Sequence, residues 1–244
     1  MYPLGGRQNL FASRTAQASA PLEFPFTLIG DHLEGFWRFD SNQIAQGPGS
    51  LIAQCFDQSG QGRDALQVSG GPDPRPDFDT STGQGAGVFV GGQFMSIDDT
   101  FATALGSDNF TMWAVLRADD TSGTVGMLNI GSSVALAISS AAWQMLRVGG
   151  GLTTDGSANT NPHLMVVTRV SGTFHMYLDG SEVSLSAPTG AINTPSGVTL
   201  MGALQTNAYF FIGLLFETGG VSRVLTSPEL DSLWTYVRAH YSVL

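Results

Sequence analysis

Apolar and polar residues alternate in short runs along most of the chain. In residues 173–178 every second side chain, beginning with Phe174, is apolar, which is the period of a strand with one buried face. The dipeptide Asp179-Gly180 follows, and a second run of this kind begins at Val183. Because Asp-Gly readily takes the positive φ angles of a tight hairpin, we predict that this pair is a scaffold turn.

From residue 33 onward, further runs are separated by Gly, Asp, Asn and Pro, and the chain contains 31 glycines. Short strands with such spacers are typical of an antiparallel β-sandwich. One helix is predicted near the C-terminus, because Thr226 or Ser227 can cap it and Pro228 suits its first turn. Residues 149–162 are predicted as a polar loop. The clearest predicted strands are 35–39, 86–90, 110–117, 134–139, 143–148, 164–170 and 209–216.

The first thirty residues show neither alternation nor helical periodicity. Such a segment cannot bury enough apolar surface to offset the entropy that ordering costs. We therefore predict an extended N-terminal arm at 1–30 and one sandwich domain at 31–244. Apolar residues of the arm are candidates to anchor it on a partner, or on its own domain: Leu4, Leu10, Phe11, Phe24 and Phe26.

Composition excludes several functions. The formal net charge is −10 and all ten basic residues are scattered arginines, so no basic patch favours nucleic acid. The longest apolar run, 209–216, is shorter than the roughly 18 residues that span a bilayer, and no secretion signal is expected. Charged residues are 12% of the chain, against about 25% in ordinary domains. The two explanations are an exterior rich in Ser, Thr, Asn and Gly, and a surface covered by neighbouring subunits; a mixture that leans toward an oligomer or a large assembly is favoured.

Six segments follow one another in a characteristic order: "LEGFWRFD", "DQSGQGRDAL", "GAGVFVGGQFMSI", "NFTMWAVLRAD", residues 164–183 and "FIGLLFETGGVSRVLTSPEL". This order resembles the laminin G-like jelly rolls of the concanavalin A-like lectin and glucanase superfamily. The chain departs from the family at Pro162, which stands at a usual tryptophan position, and at Trp113, which lies two residues early. The resemblance therefore implies the fold but carries over no ligand site.

A catalytic set is not evident. Glucanases of this superfamily place Glu-x-Asp-x-Glu on a strand, so that two carboxylates share one face. The nearest match, Glu229 and Asp231, falls in the predicted helix, where the expected role is favourable charge at its N-terminus. The four histidines show no zinc-ligand spacing. We expect no enzyme activity and no cofactor; a glycoside hydrolase is the least favoured alternative.

Two ligand sites are suggested by residue type. Trp143 and Arg147 fall on one side of a predicted strand, and an aromatic ring beside a guanidinium suits a sugar ring. Asp155 and Asn159 lie in the adjoining polar segment and complete this candidate glycan site. The alternative is that Trp143 only covers the edge of the sandwich.

Asp57, followed by Gly60 and Gly62, is the candidate calcium ligand. The alternative is that Asp57 caps its own turn, with both glycines at positive φ.

Two functional classes stay open. Tailed phages often use laminin G-like jelly rolls, so the resemblance and the arm together favour a virion protein: capsid decoration, head fibre or tail. In this interpretation the arm docks on other virion subunits and the sandwich is a candidate to bind host-surface glycans. The alternative is an extracellular, soluble, lectin-like carbohydrate-binding module. Fold alone does not decide between them.

Overall fold

The computed structural model describes residues 29–47, 51–67, 77–79, 85–131, 134–147, 150–186, 189, 192, 197–205 and 208–241. The strands are β1 (Leu33–Arg38), β2 (Ile44–Gln46), β3 (Ile52–Cys55), β4 (Ala65–Gln67), β5 (Asp77–Asp79), β6 (Ala86–Val90), β7 (Met95–Ile97), β8 (Phe110–Ala118), β9 (Val125–Ile130), β10 (Val134–Ser139), β11 (Ala142–Arg147), β12 (Gly150–Ser157), β13 (Pro162–Val170), β14 (Thr173–Leu178), β15 (Ser181–Val183), β16 (Thr199–Met201), β17 (Ala203–Gln205), β18 (Ala208–Phe210) and β19 (Ile212–Val221). The helices are α1 (Asp99–Leu105) and α2 (Ser227–His240), and a 3₁₀ turn spans Gly30–His32.

The strands form two sheets. Sheet A has the order β15-β14-β13-β8-β19-β6-β5, with β1 also paired to β19. Sheet B has the order β12-β11-β10-β9-β16-β7-β4-β3-β2, and the β17–β18 hairpin joins it at β9. The strand pairs of the described residues are antiparallel, except that Phe210 pairs with Gly126 in parallel. This topology confirms the predicted all-β sandwich.

Large apolar side chains form the main core. Burying one such side chain completely stabilises the fold by about 1.5–3 kcal/mol relative to leaving it exposed. The core thereby fixes the strand ends that carry the loops. Its largest members, each fully buried, are Trp37, Phe39, Phe89, Phe101, Phe110, Trp143, Phe174 and Phe211.

Helix α2 covers the outer face of sheet A. Leu233 and Val237 of the helix belong to one buried cluster with Val115, Val166 and Phe216 of the sheet. The sheet is therefore apolar on both faces, and its central strand β8 is buried at all but one of its nine positions. No helix in the described part of the chain is long and apolar enough to cross a membrane.

The start of α2 confirms its predicted cap. Thr226 and Glu229 form a capping box, in which the Thr226 N–H donates to Glu229 Oε2 at 2.7 Å. Arg223 donates to the same carboxylate at 2.6 Å. Hydrogen bonding by Arg223 lowers the pKa of Glu229 to about 2. Glu229 thus has the favourable N-terminal position that the sequence predicts.

Two elements differ from the sequence predictions. The predicted polar loop at 149–162 is wrong over Gly150–Ser157, which form the edge strand β12 along β11. Backbone pairing with β11 there overrides the weak strand propensity of its glycines. The prediction of a single helix is also wrong, because α1 exists and begins where Asp98 accepts the Thr100 N–H at 3.0 Å.

Of the predicted arm, only the last two residues are described. Ile29 is buried and joins the cluster beneath α2 together with Leu33, so the sandwich begins at or before Ile29. The five predicted anchors lie outside the described residues, and their role stays a prediction: Leu4, Leu10, Phe11, Phe24 and Phe26.

Candidate functional site

Several loops meet at one end of the sandwich. The strand registers bring Arg117 beside Pro162, Ala118 beside Gly213, and Val90 beside Ile212. We call the segments 91–94, 119–124, 140–141, 158–161 and 179–180 the loop end. Two backbone hydrogen bonds tie three of these loops together, from the Ala141 N–H to Thr121 at 2.9 Å and from the Ala158 N–H to Ala141 at 2.7 Å.

The turn Asp179-Gly180 is the hairpin that the sequence predicts. The φ angles are 53° and 82°, and Leu178 pairs with Ser181 across the turn. Gly180 has a second constraint, because a Cβ added there would lie 2.9 Å from Cδ1 of Trp234 on α2. The turn therefore rests against the helix.

Asp179 does more than turn the chain. Its Oδ1 accepts the Leu164 N–H at 3.0 Å, and its Oδ2 lies 2.6 Å from Nδ1 of His163. The other ring nitrogen, Nε2, lies 3.0 Å from Oδ1 of Asn159. That oxygen also accepts the Asn161 N–H at 2.8 Å, so it is an acceptor for His163 as well.

We call Asn159, His163 and Asp179 the His163 cluster. The side chain of His163 is 9% exposed, whereas that of Asp179 is 34% exposed and Asn159 is exposed. One buried imidazole therefore fixes two oxygen-bearing side chains at the surface. Sequence reasoning identified Asn159 but missed His163, because its partners lie on different loops and share no local motif.

Trp143 supports this cluster from inside the core. Its ring is fully buried and lies 5.0 Å from the His163 ring, nearly perpendicular to it. The predicted surface platform at Trp143 is wrong, because Trp143 and Met145 project from β11 into the core. The side chains of Arg147 and Asp155 lie outside the described part, so their glycan contacts stay predictions, as does that of Asn159.

Asp57 is used by its own turn. Its carboxylate accepts the N–H groups of Phe36, Ser59 and Arg63 and the Ser59 hydroxyl, at 2.8–3.1 Å. The two glycines of the turn have φ angles of 88° and 74°. These contacts support the turn-capping interpretation over the calcium candidate. Within the described residues, no group of three His, Cys, Asp or Glu side chains is arranged to hold a metal ion.

A second polar cluster lies beneath α2. Glu217 accepts hydrogen bonds from Trp113 Nε1 at 3.0 Å and from the hydroxyls of Tyr236 and Tyr241 at 2.9 Å each. Glu217 is fully buried, and desolvation raises its pKa to about 7. Because the carboxylate is enclosed, it cannot reach a substrate. Its contacts instead hold α2 on sheet A.

Comparisons with known proteins support the fold. No protein-family model and no curated protein matches the chain. Among solved structures, Trypanosoma rangeli sialidase is similar over 83% of this chain and 32% of its own, with 17% identity and a TM-score of 0.58. The binding domain of Paraclostridial Mosquitocidal Protein 1 is similar over 84% of this chain and 52% of its own, with 13% identity and a TM-score of 0.59.

A third solved structure is the botulinum neurotoxin serotype D ligand binding domain in complex with N-acetylneuraminic acid. It is similar over 85% of this chain and 52% of its own, with 11% identity and a TM-score of 0.61. The chain thus spans about a third of the sialidase and about half of the two toxin chains. At these identities the likeness shows a shared β-sandwich fold. The narrower laminin G-like resemblance stays a prediction.

Proposed function

We propose that this chain is a non-enzymatic carbohydrate-binding module that contacts its glycan at the loop end. The observation that carries the proposal is the His163 cluster, in which a buried imidazole holds Asp179 and Asn159 at the surface. Carboxylate and amide oxygens accept hydrogen bonds from sugar hydroxyls. Because both side chains are already fixed, binding a sugar costs little further side-chain entropy.

The fold adds support from its solved neighbours. One structure of Trypanosoma rangeli sialidase contains sialic acid, and the botulinum neurotoxin domain contains N-acetylneuraminic acid. Proteins with this sandwich therefore include sugar binders. The non-enzymatic part of the proposal is supported by Glu217, which is fully buried beneath α2 and so cannot act as a catalytic carboxyl group.

The experiment is glycan-array screening of the full chain, followed by calorimetry on the best ligand. Asp179→Asn keeps a residue that tolerates positive φ but removes the charge, and we expect about tenfold weaker binding, the loss of one charge-assisted hydrogen bond. Asp231→Asn is the matched control, since it removes an exposed carboxylate on α2. An array on which the full chain binds nothing contradicts the proposal.

We further propose that the module belongs to a phage particle, as capsid decoration, head fibre or tail, and that residues 1–30 dock it on other virion subunits. The low charge content of 12% and the absence of lysine support a surface that is covered by neighbours. The soluble, extracellular lectin is the alternative.

Paired substitutions in the full chain test the docking role. Phe24→Asp with Phe26→Asp should lower the mass measured by light scattering from an oligomer to a monomer. Val90→Asp is the control, because this exposed residue lies on the sandwich. A full-length chain that is already a monomer and joins no particle favours the soluble lectin.

A further inference from the structure

Tyr209 has a backbone conformation that bulky residues seldom adopt. Its φ angle is 61°, and its side chain is 48% exposed. Left-handed φ angles bring Cβ close to the backbone, so they are costly for residues other than glycine. Core packing does not account for keeping an exposed tyrosine there. Strain of this kind concentrates at binding sites.

The residues around Tyr209 hold it in place. The next residue, Phe210, stacks on Phe94 with ring centroids 6.1 Å apart, and it also pairs with Gly126 of β9. Leu204 of β17 packs directly over Gly126, where any Cβ would clash with it. The hairpin is therefore anchored to sheet B on both strands. These contacts fix the backbone position of Tyr209.

Tyr209 lies at the same end as the His163 cluster. It is three residues before Ile212, which pairs with Val90 where β6 runs into the loop end. In sheet A only β8 lies between β19 and β13, which begins next to Asn159. Tyr209 itself belongs to β18 of sheet B, and the next residue, Phe210, pairs with Gly126 at the start of β9, just after the loop 119–124. Tyr209 and the His163 cluster therefore both lie at the loop end.

The charges at this end disfavour an anionic ligand. The chain has a net charge of −10, and Asp119, Asp120 and Asp179 all lie at the loop end. Arg117 ends a strand there, but it donates to both oxygens of Asp119, at 2.8 and 3.1 Å. Four other arginines bind carboxylate or carbonyl oxygens of the chain: Arg38, Arg63, Arg169 and Arg223. Arg238 lies over the Trp234 ring of α2.

Building on the proposed glycan-binding function, we propose that Tyr209 is the aromatic platform of the site and that its ligand is an uncharged glycan. The apolar face of a pyranose stacks on the phenol ring, as apolar surfaces do on aromatic side chains. Its hydroxyls donate to Asp179 and Asn159. A carboxylated sugar is repelled by the acidic residues around the site, which separates this chain from its sialic-acid-binding structural neighbours.

The test compares matched neutral and sialylated oligosaccharides, such as lactose and sialyllactose series, on the full chain. We expect at least tenfold tighter binding of the neutral partner. Tyr209→Phe should bind as the unaltered chain does, whereas Tyr209→Ala and Tyr209→Gly should bind at least tenfold more weakly. Val170→Ala is the control, because this exposed residue lies at the opposite end of β13.

Thermal unfolding shows whether Tyr209 is kept for binding or for stability. Glycine accepts positive φ without strain, so Tyr209→Gly should raise the melting temperature by about 2–4 °C while it weakens binding at least tenfold. Unchanged binding by Tyr209→Gly overturns the platform, and preference for the sialylated series overturns the charge selectivity. If the unaltered chain binds no glycan of either series, the proposed function itself fails, and this inference fails with it.

Discussion

Nδ1 of His163 lies 2.6 Å from Oδ2 of Asp179, although 16 positions separate the two residues in the chain. A second pair, His175 and Glu182, has nearly the same geometry, with 2.7 Å between Nδ1 and Oε1. The pairs differ in exposure: the His163 side chain is 9% exposed and that of His175 is 37% exposed. The His163–Asp179 contact therefore holds the candidate site in place, whereas the His175–Glu182 contact lies on the surface.

The buried pair should contribute far more to stability. We expect His163→Ala to lower the free energy of unfolding by about 1.5–3 kcal/mol, because Asp179 loses a buried, charge-assisted partner. His175→Ala should cost less than about 1 kcal/mol, as exposed pairs do. Urea unfolding of both variants measures the difference. Equal losses would show that His163 does not organise the loop end.

Substitutions of glycine separate backbone strain from the contact with α2. Gly180 and Gly62 both have positive φ, at 82° and 74°, but a Cβ at Gly62 would meet no atom within 4 Å. Gly62→Ala should therefore cost about 1–2 kcal/mol, from the backbone alone. Gly180→Ala should cost about 1–3 kcal/mol more, because it also presses on Trp234. Equal costs would contradict the tight contact of the turn with α2.

Glu217 should make stability fall as the pH rises. Burial raises its pKa from 4.5 to about 7, so between these values the folded chain keeps a proton that the unfolded chain has lost. The free energy of unfolding should then decrease by up to about 1.4 kcal/mol per pH unit from pH 4.5 to 7. Burial raises the pKa of Tyr236 and Tyr241 as well, so both phenols stay protonated in this range.

Glu217→Gln tests this dependence, because glutamine does not titrate. The melting temperature of the variant should change less between pH 4.5 and 7 than that of the unaltered chain. The difference in stability between the two chains should therefore be smaller at low pH than at pH 8. The Arg38 guanidinium near Glu217 stays charged throughout. A profile that Glu217→Gln leaves unchanged would contradict the assignment.

Glu229 should act in the opposite direction at lower pH. Its pKa is lowered to about 2 by Arg223, so its stabilising contribution is present above pH 4.5 and is lost as the pH falls through 2. Glu229→Gln should remove part of the acid-induced destabilisation, as measured by thermal unfolding between pH 2 and 5. Asp231→Asn, on the same helix, is the control, and this variant should lose as much stability between pH 5 and pH 2 as the unaltered chain does.

Local features of the fold could be predicted from the sequence, and contacts between distant segments could not. Asp179-Gly180 and the capped start of α2 rest on residues that neighbour each other, so turn and cap chemistry suffices. Edge strand β12 forms because its backbone pairs with β11, and its glycine-rich sequence does not predict this pairing. Whether the Trp143 side chain points into the core or to solvent depends on which face of β11 packs against the other sheet. Alternation along the sequence divides the residues of a strand between two faces, but it does not show which face is buried.

The candidate site combines both kinds of information. Asn159 could be predicted as a candidate site residue because it lies in a polar segment close in sequence to Trp143 and Arg147. His163 and Tyr209 could not be predicted. The role of His163 depends on its contact with Asp179, which lies in a different turn, and that of Tyr209 depends on its positive φ angle. Asp98 before the apolar Phe101 and Leu105 is a signal that could have revealed α1.

The backbone links from Thr121 through Ala141 to Ala158 restrict how the loop end can be altered. The β8–β9, β10–β11 and β12–β13 connections are joined through main-chain atoms, so exchanging one of them for a foreign segment also removes supports of the other two. A library of loop-end variants should therefore vary side chains on all three while retaining their lengths. Variation in length is better placed elsewhere on the sandwich.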